Sequence, residues 1–243
     1  MLGRRPAFIF QLKSRLPSAD RGNVQVRSLV IAALVPTLAG GCSTSPGLRR
    51  ALTGAYKPAN VYVRLPVLPP AIRRVAVLPL PRSAEDVDQA AGADALGPLW
   101  VAELVKRKLF EVVPLSPEQL RTLTGRDSWS AEEELPLDLF QRLRQATGCD
   151  AVLFASLTAY RPYPPLRAGW RARLVDSSQH LTWWSIDELF DAGSEAVAVA
   201  AEGYARAQLT LPNPLLSDTG VLDSPRRFGQ YTTWAVASTL PHR

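Results

Sequence analysis

Apolar positions along this chain fall into short runs separated by proline, glycine and charge. The run RRVAVLPL at 73–80 is β-branched and closes on Pro79 and Pro81, which predicts a buried strand. In ALGPLWVAELVKRKLF, residues 95–110, Leu96, Trp100 and Leu104 share one helical face, while Glu103, Lys106 and Arg107 take the other. Asp94 is a candidate N-cap, with Pro98 just past the first turn. Glu111, Val112 and Val113 form a short strand, and Ser116-Pro117 opens a short helix with cap and first-turn proline in place. Ser130 and Glu133 have capping-box spacing ahead of a stripe of Leu137, Phe140, Leu143 and Ala146 that ends at Gly148.

The most apolar strand covers 150–160. A proline loop, YRPYPPLRAG, follows it. Two further strands, WRARLVD at 170–176 and HLTWWSID at 180–187, flank the turn SSQ as a hairpin. The alanine-rich stretch 192–209 and the stretch 226–240, with Phe228, Tyr231, Trp234 and Ala235 on one face, are predicted helices. The order β-α-β-α-α-β-β-β-α-α predicts one α/β domain of three-layer type, a mixed sheet covered by helices. No internal repeat of 20–50 residues is visible.

The segment 29–38 is apolar but only about half the roughly 20 residues a spanning helix needs, and it contains Pro36. Arg27 precedes it and Ala39, Gly40 and Gly41 follow, the layout of a secretory signal peptide. LAGGC, residues 38–42, resembles a bacterial lipobox, with Ala39 where leucine is usual. The resemblance implies lipidation of Cys42, and Ser43 is compatible with outer-membrane delivery. A plain signal peptide with a chance cysteine is the other reading. Residues 1–23 are long for a leader, so translation is expected to start near Val24 or Val26. The expected organisation is a signal peptide over 1–41, a flexible lipidated tether over 42–70, where prolines 66, 69 and 70 favour extended chain, and the domain over 71–243.

The leader changes the meaning of the charge. Of 28 basic and 22 acidic residues, six basic and one acidic precede Cys42, leaving 22 against 21 from there onward. The high net charge is therefore no argument for a nucleic-acid partner. With Cys42 acylated, Cys149 is left single, and its place before an apolar strand predicts a buried thiol.

The segments VAVLP at 75–79, FEVVP at 110–114 and TGCDAV at 147–152, in this order and spacing, resemble the curli-export lipoprotein group and its relatives. These share a compact domain similar to the TolB N-terminal domain. The resemblance spans about residues 42–210 and implies an α/β lipoprotein of the cell envelope. The curli channel inserts long alternating hairpins, whereas WRARLVD is short and no pair of long alternating hairpins stands in this sequence, so pore formation is not expected.

Candidate chemistry is sparse. His180 and His242 are the two histidines; neither has neighbours of metal-ligand type, and His242, beside the C-terminus, is expected to be disordered. No G-x-S-x-G elbow, phosphate loop or dinucleotide fingerprint is present, and no cofactor is expected. Glu132, Glu133 and Glu134 suit a helix N-terminus. Arg161, Tyr163 and Arg167 in the proline loop, and Trp184 on its strand, are the candidate partner-binding residues, weighed against a solvated loop and a core tryptophan. The expected function is a non-enzymatic interaction or assembly factor, anchored by lipid, facing the periplasm from the outer membrane and docking another envelope protein. A subunit of an export complex and an envelope hydrolase are the alternatives, and oligomerisation is left open.

Overall fold

The computed structural model describes residues 56–130, 132–208 and 220–243; the expected leader, Cys42 and the first half of the expected tether lie outside them. In chain order the described elements are β1 (Val61–Val63), β2 (Arg74–Val77), α1 (Val87–Arg107), β3 (Glu111–Pro114), α2 (Pro117–Thr124), α3 (Leu139–Thr147), β4 (Ala151–Arg161), β5 (Arg167–Asp176), β6 (Thr182–Asp191), α4 (Glu195–Gln208) and α5 (Pro225–Ala237). The strands form one mixed sheet in the order β1-β6-β5-β4-β2-β3, the α/β architecture that the sequence predicts. β2 pairs in parallel with β3 and β4, and β4, β5, β6 and β1 run antiparallel.

The hydrophobic pattern changes where the covering of the sheet changes. One face is buried under α1, α4 and α5, with Trp100, Trp170, Trp184, Phe190 and Tyr231 in its core. The opposite face is covered by α2 and α3 over β2 and the first half of β4, around Leu120, Phe140, Leu143 and Phe154. Where both faces are covered the sequence is continuously apolar, as at 151–155. On β5 it alternates: Trp170, Ala172 and Leu174 point inward, and Arg171 and Arg173 point outward.

Several boundaries differ from expectation for local reasons. α1 begins eight residues before Ala95, because Asp86, not Asp94, caps it by accepting from the Gln89 N–H (2.9 Å). Gly92, inside that early stretch, is needed there: a Cβ would sit 2.6 Å from the Tyr160 ring. Ser116 caps α2 as expected, and Gln119 adds a reciprocal bond that completes a capping box there. Ser130 donates its N–H to Glu133 (2.5 Å) without a helix among the described residues there; Pro136 keeps the preceding residue extended, and α3 starts at Leu139. Leu137, expected in the buried stripe, is fully exposed. His180 does not begin a strand. It occupies a left-handed turn position (φ 58°) and stacks on Phe140, their rings 4.7 Å apart.

The second half of the expected tether is part of the domain. Tyr56 packs edge-on against Phe190 and donates to Glu188 (2.7 Å), Val61–Val63 joins the sheet, and Leu68 and Ile72 are buried. Burial of these apolar groups outweighs the preference of a proline-rich stretch for free extended chain. His242, expected to be disordered, donates its N–H to Pro66 O (3.0 Å) and accepts from the Leu68 N–H (2.8 Å), tying the two ends together. The strands are also longer than expected, with 11, 10 and 10 residues in β4, β5 and β6. That is the length of membrane-spanning strands, but their apolar face is occupied by α1, α4 and α5. No helix among the described residues is long and apolar enough to cross a membrane.

Candidate interaction surface

The face of β5, β6 and β1 opposite α1, α4 and α5 carries no helix among the described residues. Two rows of charge pave it. Arg167 and Arg171 lie on β5, and Asp187 and Asp191 lie opposite them on β6 in register. Arg171 donates twice to Asp187 Oδ2 (2.9 and 2.7 Å) and also reaches Glu132 in the loop before α3 (2.5 Å). Arg167 donates twice to Asp191 Oδ2 (3.1 and 2.5 Å). In each pair two guanidinium donors converge on one carboxylate oxygen, charge-assisted bonds that hold the arginine in one orientation. Beside them a pocket of about 180 Å³ opens between Tyr62, Ser130, Ser156, Arg173 and Ser185.

The structure separates the predicted site residues. Arg167 belongs to this face. Arg161 is the loop's own brace, donating to the carbonyls of Tyr163 (3.3 Å) and Pro165 (2.9 Å). Tyr163 is 60% exposed and donates its hydroxyl to Asp88 of α1 (3.3 Å), the helix that covers the opposite face. Trp184 must be corrected: it is fully buried, and its indole N–H donates to Thr239 (3.1 Å). Its neighbour Trp183 is the half-buried one of the pair, with the Arg64 guanidinium 5.7 Å over its ring. Alternation alone would send the two rings to opposite faces, but the pairing steps from Leu174–Trp184 to Val175–Thr182 and skips Trp183, a bulge that leaves its ring packed against the same core cluster as Trp184. Sequence reasoning misses Arg171, Arg173, Asp187 and Tyr62. The period-two arginines of WRARLVD are the signal that points to this face.

Cys149 is buried, and burial pushes its thiol above the ordinary range, which disfavours the reactive thiolate. Among the described residues, no group of three or more His, Cys, Asp and Glu is placed to hold a metal ion.

Asp191 is held below the ordinary carboxyl range by the Gly193 N–H (2.8 Å) and then by Arg167. Asp176 is lowered too: burial alone would raise it, but the donors of Gln179 and Ser178 outweigh that. A folded-state value below the unfolded one gives stability that is present above the unfolded value and lost as pH falls through the folded one. The melting temperature is therefore expected to hold from neutrality to about pH 5 and to fall below about pH 4. In Asp191→Asn that acid decline should be shallower. Identical melting profiles for the two proteins in thermal unfolding across pH would refute the assignment.

No family model matches the chain, and no curated protein matches it. Solved structures to which the chain is similar include the PelC dodecamer of Paraburkholderia phytofirmans, at 14% identity over 58% of this chain and 86% of that one, TM-score 0.37. Lipoprotein GNA1162 of Neisseria meningitidis shares 21% identity over 56% of this chain and 99% of its own, TM-score 0.37. The hypothetical protein CT253 of Chlamydia trachomatis shares 13% over 68% and 93%, TM-score 0.37.

Proposed function

We propose that this chain is a lipid-anchored protein of the bacterial envelope, held at the outer membrane through Cys42, whose domain is a non-catalytic docking factor for another envelope protein. The reading rests on one observation above others. Half of a six-stranded sheet has three helices on one face and, among the described residues, none on the other. The uncovered face presents ordered charges and a half-exposed Tyr62. Charge rows held in place by cross-strand pairing favour selective, oriented encounter with a complementary polar surface. The leader and Cys42 supply the address, and the order VAVLP, FEVVP, TGCDAV supplies the likeness to envelope lipoproteins.

Two experiments test it. Cys42→Ser is expected to move the protein from the membrane to the soluble fraction of lysed cells; unchanged sedimentation with membranes would refute the anchor. Crosslinking in intact cells followed by mass spectrometry is expected to return one envelope protein whose yield drops about tenfold in Arg171→Glu, because the reversed charge repels Asp187 and Glu132 and the partner's matching groups. An equal yield from both proteins would dismiss this face as the docking surface.

A further inference from the structure

The two edges of the sheet are finished differently. In β3, Glu111 and Leu115 turn their N–H groups inward to β2, so Val112 and Pro114 face outward, and proline has no N–H to offer. That edge presents a single strand donor and is blunted against pairing. β1 has no such protection. Arg64 donates to Trp183 O (2.9 Å) and Asn60 O accepts from Asp187 (3.1 Å), with Tyr62 opposite Ser185. Even-numbered residues thus point their backbone groups at β6, and the antiparallel pattern turns the N–H and C=O of both Val61 and Val63 outward. Among the described residues nothing pairs with them. Next to this edge, Tyr62, Val63, Leu65 and Val67 are all exposed.

We propose that β1 pairs with β1 of a second copy of this chain, antiparallel about a two-fold axis through Tyr62, joining two sheets into one of twelve strands. The edge is its own complement. Centred on Tyr62, Val61 faces Val63 of the second copy and Val63 faces Val61, so four outward donors meet four outward acceptors with none left over. A two-fold interface requires this self-match, and two-fold dimers are the commonest closed assemblies. The pairing also brings the exposed Tyr62 side chains of the two copies together, sets each exposed Val63 beside Val61 of the second copy, and continues the charged face across both copies. The inference does not rest on the lipid anchor or on the partner reading.

The test uses the purified full chain in detergent. Native mass spectrometry and light scattering are expected to show a dimer. Val63→Pro deletes one outward donor per copy and no bond to β6, so it should weaken the dimer about tenfold or more while the melting temperature stays near that of the parent. The central pair is a non-hydrogen-bonded one with Cα atoms about 4.5 Å apart, inside the range a disulfide bridges. Tyr62→Cys should therefore form a disulfide between the two copies at that position on mild oxidation, whereas Val67→Cys, five residues from the axis, should not. A monomer at 100 µM (roughly a hundredfold above a micromolar Kd) would overturn the proposal. So would a dimer or larger ring in which Tyr62→Cys forms no such bridge, which would assign the contact to another surface; pairing of β1 with residues before 56 would appear as the monomer.

Discussion

Trp184→Ala is expected to destabilise the domain by about 3–5 kcal/mol, the range for emptying a large aromatic site in a packed core. The side chain is fully enclosed between β6 and the end of α5, and it belongs to the cluster that includes Trp170, Phe190 and Tyr231. Its loss also leaves the Thr239 hydroxyl without the indole N–H. Trp184→Phe should cost less, since it keeps most of the apolar volume and gives up that one hydrogen bond, worth about 1 kcal/mol. Denaturant unfolding of both variants measures the difference. A change below about 1 kcal/mol for the alanine variant would mean that the ring is not core.

The second large effect is expected at Arg107→Met, at about 3 kcal/mol. Glu103 is an acidic side chain on the buried face of α1, only 8% exposed, with Arg107 at 3.2 Å and the exposed Lys106 at 3.6 Å. Arg107 also donates to Trp234 O (2.9 Å) and lies over the Trp234 ring, so it clamps α1 to α5. Removing the guanidinium leaves the buried carboxylate with only the exposed Lys106 ammonium at 3.6 Å as a charged partner. The double variant Glu103→Gln/Arg107→Met should recover part of the loss, because a neutral amide costs less to bury than a carboxylate. A double-mutant cycle with purely additive losses would show that the pair does not interact.

Glu103 illustrates how far the sequence is legible. Helical spacing places Leu96, Trp100 and Leu104 inward and sends Glu103, Lys106 and Arg107 to the other side. The structure keeps the three apolar residues in the core but buries Glu103 as well, because α5 packs along that flank of α1. Periodicity reports the face turned to the sheet. It carries no information about a helix arriving from more than a hundred residues away. The same gap explains Trp184. Strand alternation predicts Trp183 and Trp184 on opposite faces, but only the positions of α1, α4 and α5 and the bulge at Trp183 decide where each ring goes.

The candidate surface is legible in fragments. Loop composition points to Arg167 and Tyr163; Arg167 lies on the open face, whereas Tyr163 reaches Asp88 of α1, the helix on the other face. Arg171, Asp187 and Glu132 come from three separate segments, and only strand register and the loop before α3 bring their charges within 3 Å. A one-residue slip of β6 would have placed Asp187 on the other face.

By itself the sequence determined the strands and helices whose signals are local: the Ser116 cap with Pro117 in the first turn, the left-handed Gly148 after α3, and the apolar run of β4. It also determined that the strong positive charge belongs to the segment before Cys42. Tertiary structure alone decided that residues 56–70 belong to the domain, that His242 is tied down, and that one sheet edge is blunted while the other, among the described residues, is unpaired. The division has a single physical reason. Turns, caps and periodicity act within a few residues, whereas burial and strand pairing depend on which distant segment supplies the covering atoms and the hydrogen-bond partner.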